Sequence, residues 1–362
     1  MTLQDAKRAV LGYCRDLDHA SEAEVAAVIR KHTADDYRWR GVHPFNEQSG
    51  ADAVAEAFWV PLRQAFTSLQ RRPDVFLAGV DGTSDDGAVW VCQMGHLLGL
   101  FDRPWLGIPP TGRMCLIRFC EFSRVSTEHT AETAMFVDVI GVMRQAGHYP
   151  LPPQTGAAHM HLGPMTHDGL LLDAQDPAEG EATMRLIDRL VEDLARANQV
   201  ANETGDNHVP RSVLEATWHS DMIWSGPDGI GATYTIDRYE QQHQYPFRLN
   251  LSDKFFNGHV ARFAEGEYAG FFGWANLTNT PAGGFLGMTG GDKPADMRVA
   301  DVYRRDGDRL AENWVFIDLL HWLNMQGLDV LARMRQLLGE DILGREAHKT
   351  RSGRTTNGIS DA

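Results

Sequence analysis

Two aspartates occupy the same place in two related segments of the sequence. Asp138 lies in "FVDVIGVMRQAG" and Asp318 lies in "FIDLLHWLNMQG", 180 positions further on. A carboxylate in an apolar pocket has its pKa raised from about 4 towards neutrality, where it can take up a proton and return it. Such a group can act as a base on a substrate with an activated C–H bond. The reactions of this kind are enolisation, aldol closure, isomerisation, dehydration and retro-aldol cleavage. We expect no metal and no redox cofactor for this chemistry.

The same aspartates have a structural alternative. An apolar helical segment follows each of them directly, and Asp is favoured at the residue that caps a helix N-terminus. Repetition does not separate the two interpretations, because a duplicated cap repeats as faithfully as a duplicated base. His321 follows Asp318 by three residues, within reach on the first helical turn, whereas the first copy has Gly141 there.

The repeat extends beyond the aspartates and divides the chain. Further identities at the same offset are Leu106/Leu286, Gly107/Gly287, Arg118/Arg298 and Glu132/Glu312. Each half opens with helical periodicity and closes with strand-like runs, which is typical of α+β domains. We predict domains at residues 1–150 and 181–340, a linker at 151–180 rich in Pro, Gly and His, and a disordered tail at 341–362.

The last strand of each copy has two different faces. One face of the first copy carries Phe136 and Asp138, while the face with Met135 and Val137 is wholly apolar. Both faces need cover, so we expect the two sheets to pack against each other as an internal pseudo-dimer. We place the wholly apolar faces at this junction. Asp138 and Asp318 would then point away from it, into the helix-covered concavity of each domain.

At this point the sequence resembles the SnoaL-like polyketide cyclases of the NTF2-like superfamily, in tandem. The matching segments are "DDYRWRG" and "SDMIWSGP", the helix "GADAVAEAFWVPLRQAF", the loop "GIPPTGR" and the acid-ending strand with "GVMRQAG". The resemblance implies two cone-shaped domains, each a curved antiparallel sheet wrapped by helices around an apolar pocket. It covers nearly all of the first copy and residues 182–338.

The resemblance also implies roles for individual residues. In the cyclases an Asp at the end of the last strand acts as general acid/base, which matches Asp138 and Asp318, and a His on the preceding strand assists. Glu121 and Asp301 stand in place of that His, so the family's aldol cyclisation does not carry over directly. Many members of the superfamily bind small molecules without catalysis.

Other residues are candidates for the pocket wall. Trp39 and Trp224 stand at equivalent strand entries, Trp314 precedes Asp318 on the same strand, and His96 lies in an apolar strand. Aromatic walls suit a flat or polyketide-like ligand. The alternative is ordinary core packing for the tryptophans and a satisfied core position for the histidine.

Composition excludes several classes of function. The net charge of -15 and a pI near 5.4 argue against nucleic acid as a partner. The four cysteines form no CxxC pair, and neither a targeting segment nor an apolar run of membrane-spanning length is present, so we expect a cytoplasmic protein that avoids membranes. The linker "HMH" is weak evidence for a metal, and we predict none.

These observations lead to one hypothesis and one alternative. We expect an acid/base cyclase, isomerase or lyase acting on a small apolar, aromatic or polyketide-like molecule, with catalytic Asp318, Asp138 and His321. Substrate-binding residues would be Trp39, His96, Glu121, Trp224, Asp301 and Trp314. The alternative is a non-catalytic double-pocket binding protein. Further homo-oligomerisation is left open.

Overall fold

The computed structural model describes residues 1–158 and 162–339. The elements α1 to α5 form the first half and α6 to α11 form the second half. In the first half they are α1 Leu3–His19, α2 Val25–His32, β1 Thr33–Gly41, β2 Glu47–Ser49, α3 Ala51–Val54, a π-turn Ala55–Trp59, α4 Val60–Ala65, β3 Phe66–Val80, β4 Val89–Phe101, β5 Met114–Ser126, β6 His129–Val137 and α5 Val139–Gln145.

The second half repeats this order with one strand, one helix and a 3-10 turn more among the described residues. Its elements are α6 Pro177–Thr204, α7 Arg211–Glu215, β7 Trp218–Ser225, β8 Ala232–Tyr234, α8 Ile236–Tyr239, a π-turn Glu240–Gln244, α9 Tyr245–Asn250, β9 Leu251–Phe256, β10 Ala261–Glu265, β11 Tyr268–Pro281, a 3-10 turn Phe285–Gly287, β12 Ala295–Asp306, β13 Arg309–Ile317, α10 Leu319–Met325 and α11 Val330–Leu337. The extra strand arises because the long β3 of the first half corresponds to β9 and β10.

Each half has one mixed sheet. The first runs β2-β1-β6-β5-β4-β3 and the second β10-β11-β12-β13-β7-β8, with β9 also paired to β11. The predicted antiparallel meander is present from β3 to β6 and from β10 to β13, but β1 is parallel to β6 and β7 is parallel to β13. The predicted α+β class with two sheet-and-helix units is confirmed.

Local sequence explains why the same helices form in both halves. Thr2 and Asp5 build a capping box at the start of α1, each side chain accepting the other residue's backbone N–H at 3.1 Å. In each half a π-turn precedes a helix whose first turn contains proline, Pro61 or Pro246. Val60, just before Pro61, donates its N–H to Ala55 O in a π-type hydrogen bond, and a proline without an N–H is accommodated beside this interruption of the regular α-helical bonding.

The sheets pack face to face, and aromatic side chains fill the junction. Phe272 of the second half lies 4.9 Å from Phe122 and 5.4 Å from Trp90 between ring centroids, and Phe136 lies 5.6 Å from Trp274. The predicted pseudo-dimer is therefore present. The predicted choice of faces is wrong: the face of Phe136 and Asp138 meets the other half, and the wholly apolar face lines each half's own core.

Arg118 ties the halves together across this junction. It is 3 % exposed, and its guanidinium donates to Ser225 O at 2.9 Å, Gly226 O at 3.0 Å and Val315 O at 3.2 Å. Its charge lies 4.1 Å from the centroid of the Phe316 ring. The side chain thus supplies donors to carbonyl groups of the opposite half.

The segment between the halves extends both sheets. Ala157 forms a bridge with Ala232 at the β8 edge, and Leu170 forms one with Phe76 in β3. These bridges cover sheet edges that would otherwise expose backbone hydrogen-bonding groups. The predicted domain boundaries stay predictions, and the tail predicted at 341–362 lies outside the described residues. None of the described helices combines the length and apolar composition that crossing a membrane requires.

Replacing Arg118 by Leu should destabilise the protein. The substitution removes the donors of three carbonyl groups at the buried junction, and we expect a loss of roughly 2–4 kcal/mol in the free energy of unfolding. Chemical denaturation measures it. The matched control is Arg124→Leu on the same strand, whose exposed pair with Asp86 should contribute less than about 1 kcal/mol. Equal losses in the two variants would contradict the assigned role of Arg118.

Candidate functional site

Asp138 and Asp318 are helix caps that also bridge the two halves. Asp138 accepts the N–H of Gly141 in its own helix and the N–H of Asp228 in the second half, both at 2.8 Å. Asp318 accepts the N–H of His321 at 3.1 Å and that of His43, in the first half, at 2.9 Å. The prediction that they point into separate concavities is wrong, because both lie at the junction.

Burial dominates the electrostatics of these two carboxyls. Asp138 is 8 % exposed and Asp318 is 3 % exposed, and desolvation raises the pKa of each to about 6. Nearby Asp228 raises the pKa of Asp138 further. The N–H bonds, together with Arg298 at 3.2 Å from Asp318, act in the opposite direction but do not cancel it. These side chains are satisfied as acceptors, which is what a structural cap requires.

Three other predicted residues lie away from a concavity. The backbone of His321 serves the cap of Asp318, while burial lowers the pKa of its half-buried imidazole to about 4. Trp314 donates its indole N–H to Leu162 O at 2.7 Å, on the sheet face opposite Asp301. His96 lies on the junction side of β4, with Nδ1 at 3.3 Å from Asp74. Asp318 lines, together with Asp138, a cavity of only about 20 Å³ at the junction, and neither Trp314 nor His321 is among the residues that line it.

Glu121 does face the concavity of the first half, where an ion pair neutralises it. Its Oε2 accepts from Gln93 at 2.6 Å and from Arg71 at 3.2 Å. The Arg71 guanidinium in turn lies 5.4 Å from the ring centroids of both Trp59 and Phe119. This part of the concavity is occupied by the protein's own side chains.

Asp301 holds the equivalent position in the second half, in different surroundings. Phe271 is directly opposite it on β11, where the first half pairs Gln93 with Glu121. Phe256, which is 53 % exposed, stands where the first half has Arg71. Among the residues that the structure describes, no Lys or Arg forms an ion pair with Asp301.

The pKa of Asp301 reflects this environment. Desolvation raises it to about 7, and hydrogen bonding from Asn313 and Tyr303 offsets the rise only in part. The Asn313 bond is long, at 3.4 Å. Asp301 is only partly buried, so some of its surface is accessible to solvent. A carboxyl with this pKa exchanges a proton readily near neutral pH.

Aromatic side chains lead from Asp301 towards the mouth of the concavity. The ring of Tyr303 lies 6.0 Å from Trp218, and that of Tyr239 lies 5.9 Å from Trp218 and 6.0 Å from Trp224. Trp224 stacks on His243 at 3.7 Å. Trp224 therefore belongs to this row of aromatic rings, but it is as buried as Trp39 in the first half's core, and the substrate-binding role of both stays a prediction.

A cavity of about 160 Å³ lies beside His243, and neither Asp301 nor Tyr303 is among the residues that line it. Burial lowers the pKa of His243 to about 3, so its imidazole is neutral at physiological pH. The sequence analysis missed both His243 and Tyr303. His243 becomes visible in an alignment of the two copies that allows a gap, where it corresponds to Phe58 at an offset of 185.

The described residues contain no group of three or more His, Cys, Asp or Glu placed to hold a metal ion. The predicted weak candidates His159 and His161 lie outside the described residues.

Comparisons with known proteins give structural likeness only. No protein-family model matches this chain, and no curated protein matches it. A candidate SnoaL-like polyketide cyclase from Jannaschia sp. CCS1 is similar at 23 % identity and TM-score 0.31, over 39 % of this chain and 89 % of its own. An NTF2-like protein from Burkholderia thailandensis E264 is similar at 18 % identity and TM-score 0.29, over 41 % and 98 %.

A second candidate SnoaL-like polyketide cyclase, from Shewanella putrefaciens CN-32, is similar at 12 % identity and TM-score 0.31, over 41 % of this chain and 87 % of its own. The predicted resemblance is thus confirmed as a likeness of solved SnoaL-like and NTF2-like structures to a part of this chain. The two-unit α+β fold itself is established by the two sheets described above.

Replacing Asp318 by Ala should cost more stability than the loss of an ordinary cap. It removes the acceptor of two backbone N–H groups, one in each half, and we expect a loss of about 2–4 kcal/mol. Asp329→Ala is the matched control: Asp329 caps α11 through one bond of 2.9 Å, and its loss should cost about 1 kcal/mol. A similar cost for both variants in denaturation experiments would contradict the bridging role.

The raised pKa of Asp318 also predicts a pH dependence. The folded state holds the proton up to about pH 6, and the unfolded state only up to its ordinary pKa of 3.8. The stabilisation is therefore fully present below about pH 4 and is lost as the pH rises to 6. The stability of the wild type relative to Asp318→Asn should fall across this window in denaturation curves. A difference that rises with pH would contradict this assignment.

Proposed function

We propose that the second half is the functional half and that Asp301 acts there as a general acid/base on a small, mainly apolar molecule. The first half serves as its structural partner. The chemistry is proton transfer to and from an activated carbon, of the cyclase, isomerase or lyase kind, for which a carboxyl alone suffices.

The comparison of the two matched acids carries this proposal. Glu121 and Asp301 occupy the same strand position, but Glu121 is neutralised by Arg71 and bonded by Gln93. In the second half Phe271 lies opposite Asp301, and Phe256 takes the strand position that Arg71 has in the first half. Burial raises the pKa of both acids, but the Arg71 guanidinium opposes the rise for Glu121 and occupies its carboxylate, whereas Asp301 has no ion-pair partner among the described residues.

In the proposed step, the Asp301 carboxylate removes a proton from carbon adjacent to a carbonyl. The C–H electron pair becomes the enolate, and the protonated Asp301 then returns the proton to carbon or to a leaving group. The hydroxyl of Tyr303, on the same strand face, donates to the Asp301 carboxylate and so holds the base in position. Desolvation of the site strengthens such a hydrogen bond.

The competing function is that of a non-catalytic binding protein. The observation in its favour is that Asp138 and Asp318, the acids suggested by family resemblance, are both occupied as caps. In that case the second concavity sequesters its ligand, and Asp301 contributes only to recognition. The two functions differ in whether the bound ligand exchanges its activated C–H proton or is converted to a product.

Asp301→Asn should abolish turnover while it preserves binding. A panel of aryl ketones and aryl 1,3-diketones is incubated in D₂O, and NMR follows deuterium incorporation at the activated C–H. We expect the wild type to accelerate exchange and Asp301→Asn to lose at least about 100-fold of that acceleration, in keeping with the loss of a general base. The thermal midpoint reports whether the variant is folded.

Glu121→Gln is the matched control. It breaks the ion pair with Arg71, so it should lower stability and leave the exchange rate of the folded protein unchanged. Exchange that survives in Asp301→Asn, or a wild type that accelerates exchange of no panel member, would favour the binding protein over the enzyme.

The pH profile tests the same assignment independently. Since Asp301 must be deprotonated to act as a base, kcat/KM should rise with pH and level off above about pH 7. A rate that levels off near pH 4 would point to an ordinary carboxylate instead.

A further inference from the structure

Equivalent positions at the mouths of the two concavities are filled differently. In the first half Phe45 packs on Phe58 at 4.9 Å and on Trp105 at 5.8 Å between ring centroids. The corresponding residues of the second half, listed in the same order, are Ile230, His243 and Phe285. Ile230 has no ring where the first half has Phe45, and the phenyl ring of Phe285 is smaller than the indole of Trp105. The cavity of about 160 Å³ lies among these three side chains.

The segment between the halves builds one wall of this cavity. Pro152 lies against Gly287, where a Cβ atom would come within 2.3 Å of it. Thr155 donates its hydroxyl to Gln242 O at 2.6 Å. Gln154 accepts the N–H of Gly229 at 3.1 Å and also a hydrogen bond from Arg144 of the first half. The wall is therefore fixed to both halves.

The lining carries no full charge. Among the described residues that surround the cavity there is no Asp, Glu, Lys or Arg. Its polar groups are those of Gln242, Asn250, Gln154 and Thr155, together with the neutral imidazole of His243. An ionised ligand would lose its hydration there without a counter-charge, whereas a neutral one finds apolar walls and a few hydrogen-bonding groups.

The size and shape of the cavity limit the ligand further. A cavity of about 150 Å³ accommodates a single benzene ring. The rings of Phe247 and Phe285 stand at 87° to each other, 6.0 Å apart, and His243 is held by its stacking on Trp224. These rings offer both faces and edges to a flat molecule.

We propose that this cavity is a binding chamber for an uncharged single-ring molecule, or for a single-ring part of a larger one. The inference rests on the proposed function in assigning ligand binding to the second half. It adds the size and charge class of the ligand, and it gives the linker residues Pro152 to Thr155 a role in recognition.

Isothermal titration with phenol, benzoate and 2-naphthol tests the chamber. We expect wild type to bind phenol at least tenfold more tightly than benzoate or 2-naphthol. Ile230→Phe restores the first half's ring and should weaken phenol binding at least tenfold. Val80→Phe, in a separate groove of about 840 Å³, should leave it unchanged. Phe247→Ala enlarges the chamber and should admit 2-naphthol, so the test does not depend on one variant folding.

Equal affinity of wild type for all three probes, or phenol binding that Ile230→Phe leaves intact in a folded protein, would overturn the proposal. Asp301→Asn separates this result from that of the proposed function. If phenol binding follows the pattern above in Asp301→Asn while no substrate exchanges in wild type, the chamber stands and the acid/base function fails. If exchange depends on Asp301 but only substrates with fused rings react, the function stands and the chamber fails.

Discussion

The reciprocal bonding of two aspartates is the constraint on which the rest of the structure depends. Each caps the helix of its own half and accepts a backbone N–H from the other half, so the two helix starts and the two strand-end loops are fixed together. Arg118 adds donors to the same junction. One face of each sheet is thereby committed to the partner half, and only the concave faces remain free to differ between the copies.

The concave faces of the two halves differ in how they are filled. In the first half Arg71 neutralises Glu121, and Phe45 fills the mouth, so the concavity is packed like an ordinary core. In the second half the corresponding positions are Phe256 and Ile230, which leaves an acid without a cation and a mouth with a cavity. A duplicated fold thus provides one stable partner and one half suited to a ligand.

The sequence predicted the repeat, the α+β class and the face-to-face packing. The offset of 180 residues indicates the repeat, and the spacing of the apolar residues indicates the helices, the strands and the strand faces that need cover. It did not predict which sheet face meets the partner. Both faces of the last strand are rich in apolar residues, and the N–H groups that satisfy Asp138 and Asp318 come from 90 and 275 residues away. The ungapped offset of 180 also hid the matches at 185, so the exchanges of Arg71 for Phe256 and Phe58 for His243 were not visible.

The proposed chemistry depends on the pKa of the Asp301 carboxyl. Carbon-detected NMR of the side-chain carboxyls, with the Asp301 signal assigned by its absence from Asp301→Asn, measures this pKa directly in the free protein. We expect a midpoint near pH 7. A midpoint near the ordinary value of 3.8 would contradict it, because such a carboxylate has neither the desolvation nor the basicity that the proposed chemistry requires.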